Sequence, residues 1–195
     1  VDWRAIFTRG DSIKSGEVIL VTAAASIGIG ASVVVTTGAD GVAGATLALL
    51  MVAVAWIDAR TLTIPDELNA LAFALGLAAI VISFGSETFR PELDACLRGA
   101  VTATVFYLFR FAFWRLRKRE GMGLGDVKLA GVAGAWLDWP SLPIWVEIAA
   151  VSALGFVLAQ RVVTSRPIDR LDRLPFGAFL GPAIWVCWLL DRWWI

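Results

Sequence analysis

Of 195 residues, 58% are hydrophobic and 17% are charged, with a formal net charge of zero; this balance is too apolar for a domain dissolved in water. Histidine is absent, which removes Ser-His and Cys-His nucleophilic chemistry together with the commonest zinc ligand. No basic tract with interleaved aromatics is present to grip a phosphate backbone, so no nucleic-acid partner is expected.

In chain order, apolar runs occupy residues 16–37, 42–57, 68–84, 95–114, 127–137, 143–163 and 175–190. Most approach the ~20 residues that carry a helix across the hydrocarbon core. Lipid offers no partner for backbone N–H and C=O groups, so a spanning segment must be helical, and none of the runs alternates as a barrel strand does. The expected fold is therefore all-α, a polytopic transmembrane bundle of about seven helices. Residues 1–41 are read as an N-terminal cytoplasmic segment with the first transmembrane helix, and residues 42–195 as a six-helix core. The fifth run is short and follows the glycine-rich stretch 121–126. It spans only where protein shelters that stretch, as around an active site. Cys96 and Cys187 form neither a CxxC nor a zinc spacing and are expected to be buried small hydrophobes.

Orientation follows from the lysines and arginines, which are retained on the cytoplasmic side. A cytoplasmic N-terminus puts Arg4, Arg9, Lys14, Arg60, Arg115, Arg117, Lys118, Arg119, Lys128, Arg166, Arg170 and Arg173 on that side. Arg110 and Arg161, about a turn inside helix ends, can snorkel to it. Only Arg90, Arg98 and Arg192 fall opposite, next to an acidic loop at 86–94.

Carboxylates inside a membrane bundle are functional candidates by default. Asp58 closes the second run and Asp126 opens the fifth, so both lie at the cytoplasmic edge and can meet. Two carboxylates in contact share a proton, leaving one as base and one as acid. Such a pair hydrolyses a peptide without metal or covalent nucleophile, and neither metal nor cofactor is expected. Gly123 and Gly125 leave room for a substrate backbone beside Asp126, and Pro65 is expected to stop the helix after Asp58 and position the third. Simpler roles stand beside these. Asp58 could pair with Arg60, and Asp126 could serve its helix N-terminus. Asp66 is read as an N-cap with Asn69 three residues on, and Lys128 as either a tuner of Asp126 or a cytoplasmic anchor.

The stretch 57–69, Ile-Asp-Ala-Arg-Thr-Leu-Thr-Ile-Pro-Asp-Glu-Leu-Asn, resembles the first motif of type IV prepilin peptidases, and Gly121-Met122-Gly123-Leu124-Gly125-Asp126 resembles their GxGD motif. Pro175-Phe176-Gly177-Ala178-Phe179 is similar to the family's Pro-Phe-Gly-Pro-Phe, with Ala178 in place of the second proline. The resemblance implies an aspartyl endopeptidase of the bacterial inner membrane that removes the leader of prepilins or pseudopilins on the cytoplasmic side. It carries Asp58 and Asp126 over as the catalytic pair, with Arg60, Pro65, Asp66, Gly123, Gly125, Lys128, Pro175, Phe176 and Gly177 in support. Pilus or type II secretion assembly machinery follows as a partner beside the lipid bilayer. Larger members carry a cysteine-containing zinc domain and also methylate the new N-terminus. Those cysteines are missing here, and the layout is more similar to the short peptidases of Tad/Flp pilus systems, so methylation is not part of what is implied. The rival from another class is a transporter or proton channel relaying ions through Asp58 and Asp126. It predicts inverted repeats and a midplane site, neither of which the sequence displays.

Overall fold

A computed structural model describes residues 15–84, 90–118, 121–164 and 174–194. Arg4, Arg9, Lys14, Arg119, Arg166, Arg170 and Arg173 therefore lie outside the described residues, as do residues 86–89 of the expected acidic loop, whose remainder, 90–94, is helical. Among the described residues the elements are seven helices: α1 Ser15–Val35, α2 Ala39–Thr61, α3 Asp66–Phe84, α4 Arg90–Arg117, α5 Leu124–Trp136, α6 Ser141–Thr164 and α7 Gly177–Trp194. Five of them, α1 to α4 and α6, are long and apolar enough to cross a membrane. Several helices outrun the apolar stretches that announced them, because charged and aromatic ends can continue a helix into the interfacial zone. At 28 residues α4 is about 42 Å long, well beyond a ~30 Å hydrocarbon core.

Helix α5 is the structural pillar. Its 13 residues reach only about 20 Å, and most are buried, including Val127, Leu129, Ala130, Val132 and Ala133. It stands among α3, α4 and α7, so the short fifth run is sheltered by protein. Large apolar side chains on α1, α4 and α6, among them Leu20, Val34, Phe109 and Val162, face outward, as bilayer-facing residues do.

Between helices already in lipid, close packing and interhelical hydrogen bonds replace the hydrophobic drive. Gly134 on α5 lies directly against the backbone of Arg98 and Gly99 on α4, where a Cβ would not fit, and Gly44 on α2 lies under the Trp188 ring. The core joins Leu47, Met51 and Val54 of α2 to Leu180, Ile184 and Trp188 of α7. Trp145 of α6 is fully buried and stacks on Phe106 with ring centroids 5.4 Å apart. Indoles turned into the bundle need acceptors: buried Trp145 donates to the Leu180 carbonyl at 2.9 Å, and half-buried Trp136 and Trp185 donate to the Ala72 carbonyl at 2.8 Å and to Ser32 Oγ at 3.0 Å. Of the cysteines, Cys187 is buried as expected but Cys96 is exposed on α4, a correction that follows from its place on the outward side of that helix.

Alternation of the helices sorts the polar contacts into two ends. Asp40 with Ser83, Ser141 with Asp191, and Asp94 with Arg98 and Trp139 mark one end. Glu17 with Arg60 and Asp66 with Lys128 mark the other, where both candidate aspartates lie.

Candidate active site

Helix α2 runs to Thr61 and stops because Leu62 takes a left-handed conformation, φ 56°, with its N–H on the Asp58 carbonyl. The stop is thus three residues before Pro65, which was expected to supply it. Pro65 instead leads α3, its carbonyl accepting the Asn69 N–H at 3.3 Å. Asp66 is then the first helical residue and not the N-cap expected. Its carboxylate turns sideways to Lys128 Nζ at 2.6 Å, across α3 and α5. That contact satisfies both charges at the rim, with side-chain exposures of 69% and 48%.

Asp58, in the last turn of α2, is buried. Its Oδ2 accepts the backbone N–H of Ala178 at 2.9 Å, so the carboxylate sits at the start of α7, where free N–H groups and the helix dipole favour negative charge. Gly177 makes this approach possible: a Cβ there would stand 2.9 Å from Asp58 Oδ2 and 2.6 Å from Ile64 Cδ1. Pro175 is buried, and Phe176 packs on the core while its carbonyl takes the N–H groups of Phe179 and Leu180, both at 3.0 Å. The Pro-Phe-Gly-Ala sequence therefore fixes the first turn of α7 over Asp58.

Asp126 opens α5 and is also buried. Its Oδ2 accepts the N–H of Gly123 at 3.2 Å, which anchors the carboxylate to its own helix start. Gly125 lies against Ile64, where a Cβ would come within 3.0 Å of that residue's Cβ. Ile64 thus fills the space between the Asp126 loop and the Asp58 cradle. The two carboxylates are close enough for their charges to interact.

The remaining expected residue, Arg60, does not pair with Asp58. Its guanidinium bonds Glu17 of α1 and lies over the Trp56 ring at 4.3 Å. Sequence reasoning missed three participants. Ile64 lay inside the quoted motif but carries no chemistry of its own. Glu17 bore no signal, because its partner is 43 positions away. Arg110, read as snorkelling, instead donates to the Met122 carbonyl within the glycine-rich loop.

A multi-pass helical membrane protein in which two buried aspartates from separate helices lie at one end of the bundle, within reach of each other's charge, is the class that fold and site define. Residues 45–158, which contain both aspartates, match the model of the Type IV leader peptidase family. The chain belongs to that family. It is similar to the prepilin leader peptidase/N-methyltransferase of Aeromonas salmonicida (strain A449), 30% identical over 184 residues, covering 90% of this chain and 59% of that protein. The protein of the same name from Escherichia coli (strain K12) is 30% identical over 136 residues, 67% of this chain and 58% of that one. That from Stutzerimonas stutzeri is 34% identical over 154 residues, 75% of this chain and 50% of that one. The chain thus spans between 50% and 59% of the length of these relatives. No solved structure matches it.

Proposed function

We propose that this chain is an intramembrane aspartyl endopeptidase that removes the leader of prepilin or pseudopilin precursors at the cytoplasmic face of the bacterial inner membrane. The observation that carries the reading is the convergence of Asp58 and Asp126 on one end of the bundle: two buried carboxylates from α2 and α5, within reach of each other's charge and each seated on a backbone N–H at a helix start. One proton shared by such a pair leaves a base and an acid. The base takes a proton from water, and the hydroxyl oxygen adds to the scissile carbonyl carbon. The acid protonates the developing oxyanion; collapse of the adduct breaks the C–N bond as the amine nitrogen takes a proton. No metal or cofactor enters these steps. The assembly machinery of a pilus or type II secretion system is the expected recipient of the product.

The membrane side rests on charge. The end that holds the aspartates also gathers Arg60, Arg115, Arg117, Lys118 and Lys128, which favours the cytoplasm for that end. The test is cleavage of a leader-bearing prepilin by the purified chain in lipid. Turnover should persist with a chelator, with serine reagents and in the Cys96→Ser/Cys187→Ser protein, and vanish in Asp126→Asn. A folded Asp126→Asn protein that still cleaves would sink the reading.

A further inference from the structure

An arginine about two turns inside the end of a membrane helix is costly unless something there uses it. Arg110 stands on α4 and its guanidinium Nη1 donates to the backbone carbonyl of Met122. One turn further along the same face, the Phe113 ring lies against Gly121, where a Cβ would approach Phe113 Cε1 to 2.7 Å. The loop ahead of α5 is therefore lashed to α4 twice, at consecutive residues. The next residue is Gly123, whose N–H holds Asp126 Oδ2. Any slackening at Met122 passes through one peptide unit to the donor that orients this carboxylate. The charge of Arg110 also reaches Asp126 through space. Among the described residues the other charges near Asp126 are Asp58 of α2 and, at the rim, Lys128 of α5 paired with Asp66 of α3.

We propose that Arg110 is a positioning residue for the Asp58–Asp126 pair: it clamps the Met122 carbonyl so that Gly123 presents its N–H to Asp126, and it supplies a fixed positive charge beside that carboxylate. This rests on the aspartyl-peptidase reading above and adds to it a residue on a helix that carries neither aspartate. A lipid anchor would need only to reach the headgroups. A clamp must keep both its charge and its hydrogen bond.

The experiment compares the wild-type chain, Arg110→Gln, Arg110→Lys and Asp126→Asn, each purified in lipid and assayed on a leader-bearing prepilin across pH, with melting temperature measured in parallel. For Arg110→Gln, kcat falls by about tenfold or more with KM close to wild type, the pattern of an interaction that matters in the transition state. Its pH–rate profile moves to higher pH, because Asp126 without the neighbouring cation holds its proton more tightly. Arg110→Lys keeps the wild-type profile and recovers most of kcat. Arg110→Gln with wild-type kcat and profile, beside an inactive Asp126→Asn, overturns the clamp and leaves the peptidase reading standing. Equal losses in Gln and Lys with an unmoved profile also overturn it, since they describe a merely structural tie. Should the Gln protein fail to insert, the Lys protein decides: activity with an unmoved profile supports the clamp, and inactivity at a native melting temperature overturns it. Activity in Asp126→Asn would instead remove the reading beneath.

Discussion

Asp58 on α2 accepts the backbone N–H of Ala178 on α7 at 2.9 Å, across 120 positions of sequence. The carboxylate is thereby fixed by a main-chain donor that at Ala178 only proline, which has no N–H, would remove; other side chains leave it in place. What substitution can disturb is the glycine before it.

Gly177→Ala is accordingly expected to cut prepilin cleavage. Its Cβ would stand 2.9 Å from Asp58 Oδ2 and 2.6 Å from Ile64 Cδ1, and both neighbours are buried. A displacement of this kind at a reacting group costs on the order of 10²-fold in rate. Gly155→Ala on α6, where a Cβ meets nothing within 4 Å, serves as the control and should cleave at the wild-type rate. Equal rates for the two variants would show that α7 does not position Asp58.

For the pair itself, Asp58→Asn and Asp126→Asn should each abolish turnover, and the double variant should be no worse than either single one. Groups that act as a unit are non-additive in this way. Gel shift of the prepilin at matched membrane expression reads the result. Losses that multiply in the double variant would mean that the two aspartates act independently.

Asp66 contrasts with them. Its bond to Lys128 lies at the exposed rim, where an ion pair contributes about 0–1 kcal/mol. Asp66→Asn should therefore lower stability by no more than about 1 kcal/mol and leave cleavage within a few-fold of wild type. A collapse of activity at unchanged melting temperature would instead place Asp66 in contact with substrate.

Topology can be read without substrate. In a Cys96→Ser/Cys187→Ser background, a cysteine at exposed Thr63, beside the aspartates, should react with a membrane-impermeant thiol reagent only from the cytoplasmic side. A cysteine at exposed Trp139, at the other end of the bundle, should react only from outside. The reverse pattern would put the aspartates on the wrong face for a cytoplasmic leader.

The number of helices and their approximate places in the chain were legible in the sequence, although several run beyond their apolar stretches and α2 stops at Leu62 instead of Pro65. Lipid leaves helix as the only spanning form of an isolated apolar run, so apolar lengths and charged interruptions almost determine the elements. The same reasoning singled out Asp58 and Asp126, because a carboxylate at the end of an apolar run stands out against a background with few charges. Helix rotation was not legible. A segment that is apolar on every side gives no periodic signal of which face meets protein and which meets lipid. Only the tertiary structure could decide that Cys96 faces outward while Cys187 is buried, and that Arg60 turns to Glu17 while Asp58 turns to Ala178. It also decided that Asp66 pairs across to Lys128 and that Arg110 holds Met122. Each of these is a choice among several nearby polar partners. It is settled by where rigid helices cross, and that depends on the close approach of Gly99 to Gly134 and of Gly44 to Trp188, contacts made through space by residues far apart in the chain.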